Sequence, residues 1–530
     1  MNTADIGLAN WFLQRALRTP ERAALGFEGR SWSYAQMQQS IEQLAGRLHG
    51  LGVKRGDRVA FLGLNQPMFL VALFASARLG AIFVPLNFRL VGPEVAANIE
   101  DADVSVLIAD AQHRSVVDGV RNDLSSVRHF LSEDGAEGWE PVDDRRSVAT
   151  DQVRVTSDEV AVIMYTSGTT GRAKGAMLTH GNFWWNNVNA MHNFDVLADD
   201  VTLAAAPLFH IGGLNVITLV TLQKGGLVLL HRGFDPAVVL ADVQRYRVTT
   251  MFGVPAMFQF VAQHPSFGNA DLSSLRMLIC GGAPCPESLL RIWQARGVPI
   301  QQGYGMTETA PMVSFLAPEY ALSKLGSSGR PPLFTEVRLI QRDGTLVTAP
   351  GARGEILTRG PNVMAGYWRN PKASIEAIDP DGWFHTGDVG WMDADGFLTI
   401  CDRVKDMIIS GGENVYPAEV ENVLHEHPGI AEAAVVGLPD EKWGEAVCAV
   451  VALRPGQRLE LEQLREFAGT RLARYKLPRR LEIVSALPRN ANGQGSETPT
   501  APAVWDGRAC WGSEKKRDQL IGDSGAGISP

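Results

Sequence analysis

The chain has 530 residues, a formal charge of −9, and 45% apolar against 20% charged residues, a balance that suits two to four domains with a large core. This excludes a disordered, collagen-like or disulfide-stapled protein, and the mild acidity argues against sequence-independent nucleic-acid binding. Five scattered cysteines (Cys280, Cys285, Cys401, Cys448, Cys510) with no C-x-x-C point away from a zinc site and toward a reducing compartment.

Residues 1–22 carry Asp5 early and lack the apolar stretch of a secretory signal, so a cytoplasmic protein is expected. Ser33-Tyr-Ala-Gln36 has capping-box spacing, and Met37, Ile41, Leu44, Ala45 and Leu48 follow at helical period up to Gly50 and Gly52. Arg58–Leu62 is a short apolar run, hence a buried strand. Phe69–Leu86 is interrupted by Arg78, Gly80 and Pro85, so it reads as a buried helix and strand rather than a membrane span. Helices near Glu94–Ile99, after Asp235-Pro236 and over Pro286–Gln294 alternate with strands Val104–Ile108, Thr249–Val254 and Leu275–Cys280. Such alternation predicts an α/β fold of doubly wound parallel sheets. Beyond about residue 325, Val337–Ile340, Arg342-Asp-Gly344, Glu355–Thr358 and the turn Asp393-Ala-Asp-Gly396 read as a β-rich subdomain of hairpins. A small α+β unit is expected from Asp402. It holds a helix from Pro417, strands Ala433–Val436 and Val447–Leu453, and a helix around Leu459–Leu472. The predicted division is 1–401, 402–493 and a divergent tail 494–530, rich in Gly, Ser, Pro and Thr and expected to be disordered.

The strongest chemical signal is Val160–Gly175, where a hydrophobic strand runs into Thr166-Ser-Gly-Thr-Thr-Gly171 with Lys174 close behind. Glycines let the backbone approach closely, so successive N–H groups can point at phosphate oxygens, while hydroxyls and a mobile ammonium add donors. The spacing is not that of a Walker A loop. A generic Gly/Ser/Thr loop is more often plain surface, but eleven ordered positions of this kind after a buried strand favour a polyphosphate cradle.

Tyr165–Gly175 resembles the signature loop of the adenylate-forming superfamily of acyl-CoA synthetases, luciferases and adenylation domains. Further motifs follow in that family's order: Pro207–Gly213, Gly281–Pro284, Gln302–Thr309, Trp383–Asp388, Asp402–Pro417 and Tyr475–Pro478. Bacterial fatty-acyl-CoA ligases are the nearest likeness, feruloyl-CoA-type ligases a close second. The resemblance implies a large N-terminal adenylate-forming domain and a small mobile C-terminal domain. It also implies a two-step reaction of ATP, a fatty or aryl carboxylic acid and coenzyme A through acyl-AMP. By resemblance, Thr166, Ser167, Gly168, Thr169, Thr170, Gly171 and Lys174 would hold the phosphates. Thr307 would bond the α-phosphate and Glu308 would ligate Mg²⁺. Tyr304, between Gly303 and Gly305, would stack on adenine, with Gly281, Gly282 and Ala283 lining its pocket. Asp388 and Arg403 would fix the ribose, and Lys405 would be the hinge of the small domain. His210, which by itself reads as a core histidine, falls in the family's acyl-pocket region; Phe209-His-Ile-Gly212 offers no carboxylate for an amino-acid ammonium, which favours a neutral-tailed acid. The basic cluster Arg471, Arg474, Lys476, Arg479 and Arg480 suits CoA phosphates, peripheral contact with an anionic membrane, or a solvated face.

One departure stands out. The family's last motif ends in Asn-Gly-Lys, and that lysine bridges the substrate carboxylate and the α-phosphate; this chain reads Asn492-Gly-Gln494. A neutral amide cannot offset developing negative charge, so weakened adenylation is expected, with thioester formation from supplied acyl-AMP retained. Two alternatives stay open: an adenylation-deficient nucleotide or acyl-adenylate binder, and a loader of a separate acyl carrier protein.

Overall fold

The computed structural model describes residues 5–143, 150–166, 173–283, 285–403, 408–410, 413–415, 417–440, 444–472 and 474–487. Ser167–Gly171, Pro284, Lys405, Gln494 and the tail lie outside these residues.

The capping box at Ser33 is present: its hydroxyl accepts from the Gln36 amide at 3.2 Å, and the Gln36 side chain accepts from the Ser33 amide at 2.9 Å. The helix it starts, Tyr34–Gly50, packs with Leu8–Arg18 and Pro67–Arg78 in a layer between two large sheets. In the seven-stranded sheet, Arg58–Leu62 lies parallel between Ile82–Leu86 and Val104–Ala109. Val59 and Phe61 face the layer shared with the other sheet, whereas Ala60 and Leu62 face the opposite core with Val95 and Ile99. Both faces of these strands are covered, which is why their sequences are continuous apolar runs rather than alternations. The Phe69–Leu86 region divides into a helix and a strand as expected. Among the described residues, no helix is long and apolar enough to cross a membrane.

The eight-stranded sheet has a parallel centre of Val201–Ala204, Leu227–Leu230, Thr250–Gly253, Met277–Cys280 and Ile300–Gly305. Neither large sheet is purely parallel. Ala23–Phe27 pairs antiparallel with Arg30–Ser33, Ile300–Gly305 with Met312–Phe315, and Val160–Thr166 with Lys174–Thr179. The reversals between these strands span two to seven residues, too few for the dozen or so that a parallel crossover needs.

The expected β-rich region is a four-stranded antiparallel sheet of Glu336–Ile340, Arg353–Arg359, Phe384–Met392 and Leu398–Arg403. At its Asp393 turn the carboxylate accepts from the amides of Asp395 and Phe397, both at 2.9 Å, and Gly396 takes a φ of 81°. The last strand spans the expected boundary at 401/402. The α+β unit that follows has its own five-stranded sheet and its own core, in which Val420 and Leu424 of the helix Pro417–His425 meet Val447, Val451 and Leu464.

Candidate active site

Strand ends of both large sheets converge with the four-stranded sheet on one cavity of about 1350 Å³. Ligands of α/β proteins collect beyond the carboxyl ends of strands. A single small-molecule pocket usually measures roughly 300–1,000 Å³, so this space accommodates more than one reactant.

The phosphate-loop motif is a hairpin. Thr166 and Lys174 face each other in register at its base, with the Thr166 hydroxyl 3.4 Å from the Lys174 carbonyl and 3.5 Å from Glu308 Oε1. Glu308 sits in a short 3₁₀ turn, Thr307–Thr309, that follows the strand carrying Gly303, Tyr304 and Gly305. It is 9% exposed, and its Oε1 also accepts from the Tyr367 hydroxyl at 2.9 Å. Burial and the nearby Glu308 charge push the Tyr367 phenol well above the usual tyrosine range, so it stays a donor. The Tyr304 hydroxyl donates to Asp388 Oδ2 at 2.5 Å, and Asp388 is in register with Arg403 on the next strand. Thr166, Lys174, His210, Gly281, Gly282, Gly303, Tyr304, Gly305, Thr307, Glu308 and Asp388 therefore meet around one cavity. Ala283 is described but is not among the lining residues; Arg403 is placed by its backbone; Ser167, Gly168, Thr169, Thr170, Gly171 and Lys405 fall outside the described residues.

The cavity has an apolar limb. His210 leads into the short helix Ile211–Asn215, where close packing dictates glycine. A Cβ on Gly213 would lie 2.2 Å from the Pro207 carbonyl oxygen, and one on Gly212 would lie 2.9 Å from the Phe252 ring. Phe209 packs edge-on against Phe88 at 5.2 Å between ring centroids. The loop before His210 is moored to the other large sheet by buried Asn65, whose amide donates to the Ala206 carbonyl at 2.9 Å and accepts from the Leu208 amide at 2.8 Å. Asn65 is held in turn by its own loop, where the Leu64 amide donates to Asp110 at 2.9 Å. Segments 205–216 and 252–260 contribute no acidic side chain to the lining.

Several supporting residues carry no motif signal. Asn182, Asn186 and Asn189 form one buried stripe on the helix His180–Asn193. Asn182 donates to the carbonyls of Pro361 and Val363, Asn186 bonds the Met312 amide and the Asn215 carbonyl, and Asn189 donates to Thr335. Asn362 donates to the carbonyls of Thr309 and Met312, and Asn215 to that of Ala310, all within 2.8 Å. This network holds the turn that presents Thr307 and Glu308. Its trace in the sequence is the spacing of the three asparagines by four and three residues, a helical face made of amides. Phe88 and Arg89, on a loop after a buried strand, also line the cavity; burial lowers the Arg89 pKa. In the small unit, Arg471 pairs with Glu426 at 3.1 Å and Lys476 with Glu419 at 2.5 Å, so both are engaged within that unit.

The donor set suits magnesium. One buried carboxylate and a hydroxyl are hard oxygen ligands, and no group of three or more His, Cys, Asp or Glu able to hold a metal occurs among the described residues. Magnesium is usually held in this way, by one or two carboxylates with phosphate oxygens and water completing its shell.

Comparison with known proteins agrees with this geometry. Residues 12–368 match the AMP-binding enzyme family and residues 419–494 the AMP-binding enzyme C-terminal domain. The chain is 47% identical to a feruloyl-CoA synthase of an Amycolatopsis species, over 92% of this chain and 97% of that protein. It is 43% identical to an indoleacetate–CoA ligase of Aromatoleum aromaticum, over 92% and 96%. The structure superposes on o-succinylbenzoate CoA synthetase from Bacillus subtilis in complex with its acyl-adenylate intermediate, with a TM-score of 0.83, 35% identity and coverage of 92% and 96%. With that enzyme's complex with ATP and a magnesium ion the TM-score is 0.81 at 35% identity, covering 92% and 98%.

Proposed function

Because the chain belongs to the AMP-binding enzyme family and is an AMP-forming acyl-CoA synthetase working through an acyl-adenylate, we propose that its acid is an aryl or arylalkyl carboxylic acid and that Gln494 slows its first half-reaction. The observation that carries the substrate reading is the apolar limb walled by Phe209, Phe252, Met257 and Phe260, with the Phe252 ring close against Gly212 and no acidic side chain from segments 205–216 and 252–260. A planar ring fits such a wall, and an amino-acid ammonium finds no counter-charge there. The feruloyl and indoleacetate relatives point the same way.

In the first half-reaction the acid's carboxylate attacks the α-phosphorus of ATP, the bond to the β-phosphate oxygen breaks, and pyrophosphate leaves. In the second, the CoA thiol attacks the acyl carbonyl and AMP departs with the electron pair. There is little covalent work for the protein, so positioning and charge stabilisation dominate. Thr166, Lys174 and the loop Ser167–Gly171 hold the phosphates, and Thr307 bonds the α-phosphate. Glu308 ligates magnesium, which supplies charge neutralisation on the leaving phosphates. Tyr304, Gly281 and Gly282 border the base, and Asp388 with Arg403 fixes the ribose. His210 gates the acid limb, and Lys405 is the hinge between a large unit ending near 401 and a small one over 402–493.

The family lysine's replacement by Gln494 removes a charge-assisted contact to the transition state. Losing one such contact costs about 3–4 kcal/mol, or about 10²–10³ in rate. The test is a panel of aryl and fatty acids assayed for pyrophosphate release, with thioester formation from synthetic acyl-AMP and CoA measured in parallel, for the native chain and Gln494→Lys. Adenylation should rise about 10²–10³-fold in the variant while the thioester step changes little. Equal adenylation in both proteins overturns the Gln494 reading, and preference for long alkyl acids overturns the aryl reading. Acyl transfer to a carrier protein but not to free CoA would favour the loader.

A further inference from the structure

Tyr367 stands outside every motif, yet it touches both halves of the phosphate end. It lies on segment 361–368, which runs beside the strand Lys174–Thr179 that returns from the phosphate loop. The Trp368 amide donates to the Gly175 carbonyl at 2.7 Å, the Met177 amide to Gly366 at 2.9 Å, and the Ala365 amide to Met177 at 3.0 Å. The approach is close enough that a Cβ on Gly175 would come within 3.4 Å of Trp368 Cβ and 2.7 Å of Ile163 Cγ2. The same segment ties to the metal-side turn, because the Met364 amide donates to the Glu308 carbonyl at 2.8 Å. The Tyr367 backbone is fixed as well, its amide donating to the Ser374 hydroxyl at 2.8 Å.

On this anchored backbone the ring serves two groups at once. Its hydroxyl donates to Glu308 Oε1 at 2.9 Å, and the Lys174 ammonium lies 5.1 Å from its centroid. With Oε1 engaged by Tyr367 and approached by Thr166, Glu308 Oε2 has no hydrogen bond among the described residues. A carboxylate held by one oxygen presents the other in a fixed direction, the usual role of a partner behind a metal ligand.

We propose that Tyr367 is the positioning residue for the magnesium–nucleotide half of the reaction: its hydroxyl orients Glu308 and its ring carries Lys174, so the metal carboxylate and the phosphate lysine are set by a single side chain. The inference rests on the assignment of Glu308 to magnesium made above. Tyr367→Phe keeps the ring and its packing but removes the hydroxyl. Tyr367→Leu removes the aromatic face as well.

The experiment is calorimetric binding of α,β-methylene-ATP, which cannot release pyrophosphate, at a series of magnesium concentrations and in EDTA. Thioester formation from synthetic acyl-AMP is measured alongside. In Tyr367→Phe the magnesium concentration for half-maximal tightening should rise about tenfold, with metal-free analogue binding and the thioester step within twofold of the native protein. In Tyr367→Leu the metal-free binding should weaken too, because Lys174 loses its support. An unchanged magnesium dependence in Tyr367→Phe overturns the positioning role alone, and so does an equal loss in every measurement, which marks a merely structural residue. If the native protein binds the analogue equally with and without magnesium, the assignment of Glu308 falls, and the role of Tyr367 falls with it.

Discussion

At Gly305 an added methyl group would sit 1.7 Å from the Pro311 carbonyl oxygen, whereas at Gly303 the nearest atom is Phe315 Cδ2 at 3.6 Å, an ordinary contact. The two glycines of Gly303-Tyr-Gly305 are thus unequal, although they look alike in the motif. Gly305→Ala must displace the turn that carries Thr307 and Glu308, and overpacking of this kind costs about 1–3 kcal/mol or more. Gly303→Ala should leave denaturant midpoint and nucleotide affinity close to native, while Gly305→Ala lowers both; the two measurements on the two variants check it. That Gly303, Tyr304 and Gly305 share one cavity was legible at this scale because a contiguous motif names its members. Rank among them was not, because the clash at Gly305 comes from a carbonyl six residues further on, brought back by the turn. The contacts of Tyr367 were hidden for a related reason: its partner Glu308 is 59 residues away in the chain.

The helix His180–Asn193 shows what an element can conceal. Periodicity places apolar residues inside and amides outside, yet here Asn186 and Asn189 are fully buried. Their partners are backbone groups and the Thr335 hydroxyl, on segments more than a hundred residues distant or on a neighbouring short helix, so no local pattern could announce them. Asn186→Leu is close in volume but leaves the Met312 amide and the Asn215 carbonyl without their partner. An orphaned buried polar group costs about 1–3 kcal/mol, so a loss of about 2–5 kcal/mol is expected from denaturant unfolding. Other elements were plainly readable. The Ser33 capping box, the helix after Asp235, where the carboxylate caps the amides of Ala237 and Val238 at 2.8 and 3.0 Å, and the Asp393 turn each carry their cause within a few residues.

For the whole molecule, the alternation of helix and strand made the α/β class legible, but not which helices lie between the sheets, since that depends on how two sheets stack. His180 belongs to this scale, because it joins the N-terminal segment to the helix beyond the phosphate hairpin: its Nδ1 accepts from the Leu8 amide at 3.3 Å. Burial pushes its pKa down from 6.5 to about 4. The folded protein therefore keeps this ring neutral where the unfolded chain already binds a proton. Stability is fully present above about pH 6.5 and is lost as the pH falls toward 4, by about 3 kcal/mol in total. The melting temperature should drop across that window, and His180→Gln should flatten the slope whatever it does to stability at neutral pH. A slope unchanged in the variant would assign the acid sensitivity to other groups.

The amide of Asn65 reaches from one sheet's loop to grip the main chain just ahead of Phe209 and His210 on the other. The wall proposed to face the acid is therefore aimed by a residue of the opposite sheet, Asn65, whose own loop is fixed by Asp110 from the layer behind it. Diversification that spares Asn65 would leave that aim untouched; a change at Leu64 or Asp110, outside the cavity lining, shifts it without altering a single lining residue.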